Sequence, residues 1–116
     1  MAKSPIFPGT IRNKITTVNN GTNTVWDGGT EGSRLDRLLV STSSGAEVTI
    51  FISDGTAELP LETIAISAGA GTGTPATNIL DDRRTWADGA MWVASGHSII
   101  AKCKGSATFF ANGGNY

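Results

Sequence analysis

Short turn signals divide this chain into pieces that suit strands and leave little room for helices. Asn19-Asn20-Gly21, Asp27-Gly28-Gly29, Ser43-Ser44-Gly45, Asp54-Gly55, Ser95-Gly96 and Gly105-Ser106 recur along its 116 residues. Asn-Gly and Asp-Gly steps tolerate the positive φ angles that hairpin-type turns demand. Between two of these signals, Val48, Ile50 and Ile52 alternate with Thr49, Phe51 and Ser53, the period of a half-buried strand. Asp54-Gly55 then leads into 58–66, with Leu59, Leu61, Ile64 and Ile66, so 47–66 reads as a hairpin. Further strands are expected over 10–18, 22–26, 34–42, 90–94, 97–104 and 107–112, with a shorter piece at 79–80. The apolar positions of 34–42 fall on both faces, as a bulge would produce. Only 85–91 suggests even a single helical turn. About eight short strands with turns at this spacing describe an all-β fold: a jelly-roll-like or related antiparallel β-sandwich.

Length and composition agree with one small domain. Charged residues make up only 16% of the chain, and 15 residues are glycine, a mixture that favours strands and tight turns over long helices. The segment 67–78 is built from Ser, Ala, Gly, Thr, Pro and Asn and is expected to be a mobile surface loop. At the N-terminus, Pro5 and Pro8 bracket Ile6-Phe7. Proline removes a backbone donor and favours extended geometry before it, so residues 1–12 read as an extended arm and 13–116 as the sandwich. Lys3, Arg12 and Lys14 are the only charged residues before Asp27, while the whole chain carries a net charge of −1. A basic arm on a mildly acidic body results, but three dispersed charges are no nucleic-acid-binding cluster. No apolar run approaches a membrane span, and 1–5 lack the apolar core of a secretory signal. Synthesis in a cytosol, without membrane attachment, is the expectation.

No combination of residues assembles into recognisable catalytic chemistry. His97 is the sole histidine, and no Gly-x-Ser-x-Gly elbow accompanies it. Cys103 is the sole cysteine and sits in an alternating strand, where a small buried hydrophobe is expected. One His and one Cys in a single segment do not make a zinc site. Asp81 and Asp82 are adjacent, so on a strand they would point to opposite faces; with Arg83 and Arg84 they suggest surface ion pairs or a subunit boundary. Gly71-Thr72-Gly73-Thr74-Pro75-Ala76 matches a dinucleotide-turn pattern without the strand and helix that give it meaning. Asn20-Gly21-Thr22 matches a glycosylation sequon that an unexported chain would not use. Among the tryptophans, Trp92 is expected in the core, and Trp86, between Arg84 and Asp88, at a surface or interface. No enzyme activity, cofactor or metal is expected.

Several stretches carry a family likeness. Gly32-Ser33-Arg34-Leu35-Asp36-Arg37-Leu38 precedes Phe51-Ile52-Ser53-Asp54-Gly55-Thr56, a Ser-Gly-His strand entry follows at 95–97, and the chain closes on Phe109-Phe110-Ala111-Asn112-Gly113-Gly114-Asn115-Tyr116. This pattern resembles small virion proteins of tailed bacteriophages, of the capsid decoration or cement type, over roughly 28–116; the charged 81–88 stretch departs from it. The resemblance implies a structural protein on the outer capsid surface, with the major capsid protein as partner and a homo-oligomer, a trimer above a dimer. Phe109 and Phe110, neighbours on opposite faces of one strand, also ask for two separate covers. On physical grounds the arm supplies the capsid contact: Lys3, Pro5, Ile6, Phe7, Pro8 and Arg12. Asp81, Asp82, Arg83, Arg84 and Trp86 form a second surface or interface candidate. The alternative is a glycan-binding head-fibre or tail module that attaches the virion to host sugars.

Overall fold

The computed structural model describes residues 9–81, 83–87 and 89–116. These build two antiparallel sheets from nine strands: β1 (Thr10–Asn19), β2 (Thr22–Asp27), β3 (Ser33–Ser41), β4 (Ala46–Ser53), β5 (Glu58–Ile66), β6 (Thr77–Asn78), β7 (Met91–Val93), β8 (Ser98–Lys104) and β9 (Ser106–Asn115). Sheet A has the order β1-β9-β3-β6, with β7 also paired to β3; sheet B has the order β2-β8-β4-β5. The β-sandwich read from the sequence is present, and no helix occurs among the described residues.

How the two sheets are joined departs from the simple hairpins that the turn signals suggest. Asn20-Gly21 does not pair β1 with β2. Instead β1 pairs with β9 and β2 with β8, so the chain steps from one sheet into the other. Gly105 performs the same step between β8 and β9, and Thr42 to Gly45 between β3 and β4. Three long strands thus run side by side, and all bend at one corner. Asn20, with φ of 45°, and Gly105, with φ of 95°, shape the bend. The Asn20 backbone N–H donates to the Gly105 carbonyl at 2.9 Å, and the Gly105 N–H donates to Asn20 Oδ1 at 2.8 Å. A Cβ on Gly105 would stand 2.9 Å from the Gly45 carbonyl oxygen, so the middle strand can turn there only as glycine.

Folding the ribbon over itself encloses the core. Val18, Val25, Trp26, Leu35, Leu38, Val40, Val48, Ile50, Ile99, Ala101, Cys103, Phe109 and Ala111 are all buried between the sheets. Burying a side chain such as Leu38 or Phe109 contributes on the order of 1.5–3 kcal/mol. The bulge foreseen in 34–42 falls between Leu35 and Arg37 in the pairing of β3 with β9. It puts Leu35 and Leu38 on the same buried side, although they are three positions apart. The 58–66 hairpin with β4 forms as read, its turn held by Asp54 Oδ1, which accepts the N–H groups of Thr56 and Ala57 at 2.9 and 2.7 Å.

Several expectations need correction. Thr10, Ile11 and Arg12 already pair with Asn115, Gly114 and Gly113, so the sandwich begins before the boundary drawn at residue 12. The 67–78 segment is anchored to the sheet corner. Ala70 is buried, its carbonyl accepts the Thr42 N–H and the Ser41 hydroxyl, and Thr77–Asn78 pairs with β3. Small residues that bury little area on their own here let the backbone lie directly on the sheet. Gly113 and Gly114 continue the last strand past its expected end at 112: a Cβ on Gly113 would stand 1.9 Å from the Arg34 carbonyl oxygen. Gly113→Ala should therefore lower unfolding free energy by about 2 kcal/mol or more in urea titrations, because backbone would have to move. Gly73→Ala, with nothing closer than 3.9 Å, should be nearly neutral.

Candidate functional site

Both sheets end together, opposite the corner, in an open end formed by Thr10, Asp27, Ser33, Val93 and Asn115. Arg12 clasps it. Its guanidinium carbon lies 3.7 Å from the centroid of the buried Trp26 ring, which ties β1 of one sheet to β2 of the other. The guanidinium also donates to Asn115 Oδ1 at 2.8 Å and to the Asp27 carbonyl at 3.0 Å, and pairs with the Asp27 carboxylate at 3.2 Å. Beneath it, Trp26 Nε1–H donates to Ser33 Oγ at 2.9 Å, and that hydroxyl donates to the Asp27 carbonyl at 2.8 Å. Arg12 was read from sequence as part of the capsid-contacting arm. It is turned inward, with 20% of its side chain exposed, and serves the sandwich.

Apolar side chains face outward around this open end. Ile11, Gly114, Arg34 and Trp92 form one row across sheet A, and Ile11 and Trp92 are 84% and 56% exposed. Leu59 is exposed at the same end of sheet B, where β5 pairs with Ile52 of β4. Between them are two shallow hollows. One, of about 270 Å³, is lined by Gly32, Ser33, Trp92, Val93, Ala94 and Tyr116; the Trp92 indole N–H donates to the Tyr116 hydroxyl at 2.9 Å. The other, of about 400 Å³, is lined by Ile52, Asp54, Ala57, Glu58, Leu59 and His97. Backbone hydrogen bonds from Ala57 and Thr56 hold the Asp54 carboxyl below its ordinary value, so its charge is committed to the hairpin turn. Gly9, the first described residue, lies beside Asn115, so the arm joins the body at this end. Lys3, Pro5, Ile6, Phe7 and Pro8 lie outside the described residues.

The second sequence candidate folds against the body. Asp81 accepts from Arg83 at 2.7 Å and pairs with Arg84 at 3.2 Å; the Arg83 hydrogen bond is the main cause that lowers its carboxyl to about 2. Arg84 reaches Glu62 of β5 at 3.2 Å, and the Trp86 indole N–H donates to the same carboxylate at 2.9 Å. Trp86 is partly buried against the core; Trp92, expected in the core, is exposed. Trp92 lies in a three-residue strand whose alternation turns Val93 inward, so Trp92 must face out. Asp82 lies outside the described residues. Cys103 is buried as expected, and desolvation raises its thiol to about 11. Among the described residues no three His, Cys, Asp or Glu side chains gather as metal ligands, and no helix is long and apolar enough to cross a membrane.

No protein-family model matches the chain, and no curated protein sequence does. Two crystal structures described as a pentameric capsid protein isolated from metagenomic phage sequences align with 97% of this chain. Each does so at a TM-score of 0.45 and 17% sequence identity. The chain spans 63% and 65% of their length, less than two thirds.

The Arg12 clasp has a measurable consequence. Arg12→Ala should destabilise the protein by about 1–3 kcal/mol, through a lost ring contact and lost charge-assisted hydrogen bonds. Trp26 emission should shift to the red as water reaches the ring. Lys14→Ala, on the same strand, should change the emission little.

Proposed function

We propose that this chain is a non-enzymatic structural protein of a tailed-phage virion, a decoration or cement module on the outer surface of the capsid. The observation that carries this reading is the open end of the sandwich, where Ile11, Trp92 and Leu59 stay exposed around the point at which the arm joins. An exposed apolar patch at the end of a small domain, where the arm joins it, marks a docking surface. The sequence resemblance over 28–116 supplies the kind of partner: the major capsid protein of an assembled head. Ile6 and Phe7 extend the apolar surface along the arm, and burying both would contribute about 3–5 kcal/mol before ordering costs. Pro5 and Pro8 lower the entropy lost when the arm is immobilised. Lys3 adds salt-sensitive attraction that acts mainly on association rate. The protein works as a homo-oligomer, with the trimer favoured, and it is made in the host cytoplasm.

One observation favours a second reading. Exposed Trp92, beside Tyr116 over a hollow, is a surface on which a sugar ring could stack, as a glycan-binding fibre module would require. A free-sugar titration of tryptophan emission together with a glycan array separates the two readings.

The test of the capsid reading is occupancy on purified shells. A variant lacking residues 1–8 should keep its melting temperature and oligomeric state and lose occupancy by about tenfold or more, the equivalent of some 1.4 kcal/mol. Ile6→Ser with Phe7→Ser should reproduce most of that loss, while Lys3→Ala should matter chiefly at low salt. Full decoration by the truncated protein would contradict the role of the arm. Absence of binding by the intact protein would contradict the reading as a whole.

A further inference from the structure

We infer that the outer face of sheet A, centred on Ile15, Phe110 and Leu39, is the surface on which a second copy of this chain packs. This rests on the homo-oligomer reading above and is independent of what the arm binds. Ile15 pairs with Phe110, and Phe110 with Leu39, so the three side chains stand in one row across β1, β9 and β3. Phe109, the other ring of the Phe pair, is fully buried inside the sandwich. Phe110 therefore faces out, and Ile15 beside it is 71% exposed.

The chemistry of the face selects the occupant. Ile11, Asn13, Ile15 and Thr17 alternate outward on β1, and their partners on β9 are Gly114, Asn112, Phe110 and Thr108. None of these eight is charged; the charges of this face lie on β3, where Arg34, paired with Asp36 at 2.8 Å, stands opposite Gly114 and Arg37 opposite Asn112. The outer face of sheet B differs, since Lys102 pairs with Thr49 and Lys104 with Glu47. Interface cores are depleted in charge, and an uncharged strip offers a charged partner nothing to complement. A copy of itself fits: Thr17 and Thr108 already share a hydrogen bond at 3.1 Å, and Asn112 donates to Asn13, groups that can exchange partners with those of a neighbouring copy. Ten residues of β1 span about 33 Å and three strands about 14 Å, a flat footprint of roughly 460 Å² before side-chain relief, toward the roughly 800 Å² per partner of a standard interface. Edge-to-edge extension of sheet A is disfavoured, because Arg12 and Lys14 fall on the inner side of β1, and inward charges on an edge strand oppose added strands.

The test uses the intact protein in solution, without shells, so that it can fail while capsid attachment stands, or hold while attachment fails. Sedimentation should show an oligomer at micromolar concentration. Ile15→Glu should weaken association at least tenfold with its unfolding midpoint little changed, since the site is already exposed. Asn13→Cys, on this face, should form disulfide-linked pairs on mild oxidation, and Thr63→Cys, on the outer face of sheet B, should not. A monomeric wild-type protein at 100 µM would overturn the inference, and so would an Ile15→Glu variant that associates normally, or cross-linking through Thr63→Cys instead of Asn13→Cys. Association that appears only when residues 1–8 are removed would also overturn it, because the arm would then be the occupant of the face.

Discussion

Everything in this molecule follows from one bend in a three-stranded ribbon. The β8–β9 strand crosses from sheet B to sheet A at Gly105, and β1–β2 and β3–β4 flank it on either side through the same corner. Because the three bends are in register, the inner side of each strand in one sheet faces the inner side of its own continuation in the other. Phe109 and Cys103 are thus both buried in one core while lying in different sheets. A side chain at Gly105 would meet the Gly45 carbonyl, so the close approach of two strands at the corner is what glycine permits there.

The bend also makes the molecule polar along its length. At one end the corner is tight, saturated with backbone hydrogen bonds among Asn20, Gly21, Cys103 and Gly105 and sealed by the 69–74 turn. At the other end the 28–32 and 94–97 loops cross between the sheets, with the His97 N–H donating to the Ala94 carbonyl, and side-chain interactions close the rest of the gap. Arg12 over Trp26 is the principal one, and it explains why an arginine beside the arm is withdrawn from solvent. Ile11, Trp92 and Leu59 stand exposed at this less saturated end. The end closed by loops and side chains is thus the end with surface to spare for a partner.

Much of the strand framework was legible in the sequence because period-two alternation and Asp-Gly or Asn-Gly turns are local signals. The β4–β5 hairpin and the bulge in β3 are of this kind. Which strands pair is a non-local property, and Asn20-Gly21 looks the same in a hairpin as in a step between sheets. Trp92 was misplaced for a related reason. Trp92 has apolar neighbours in sequence, yet a three-residue edge strand must turn one of Trp92 and Val93 outward. Trp86 has charged neighbours, yet Glu62 from β5 covers its indole N–H. Arg12 was assigned to the arm since nothing local reveals a ring 14 positions away. The apolar strip of sheet A needed the register of β1, β9 and β3 before Ile15, Phe110 and Leu39 could be seen as one row.

The central claim is that this is a polarised interaction module, with one end for the capsid and one face for its own copies. A cryo-electron microscopy reconstruction of decorated heads tests both parts at once. The account predicts density with Thr10, Trp92 and Tyr116 towards the shell, the Asn20–Gly105 corner pointing outward, and neighbouring copies meeting through Ile15 and Phe110. Copies seated on the shell by the corner, or standing singly with the Ile15–Phe110 face open to solvent, would contradict it.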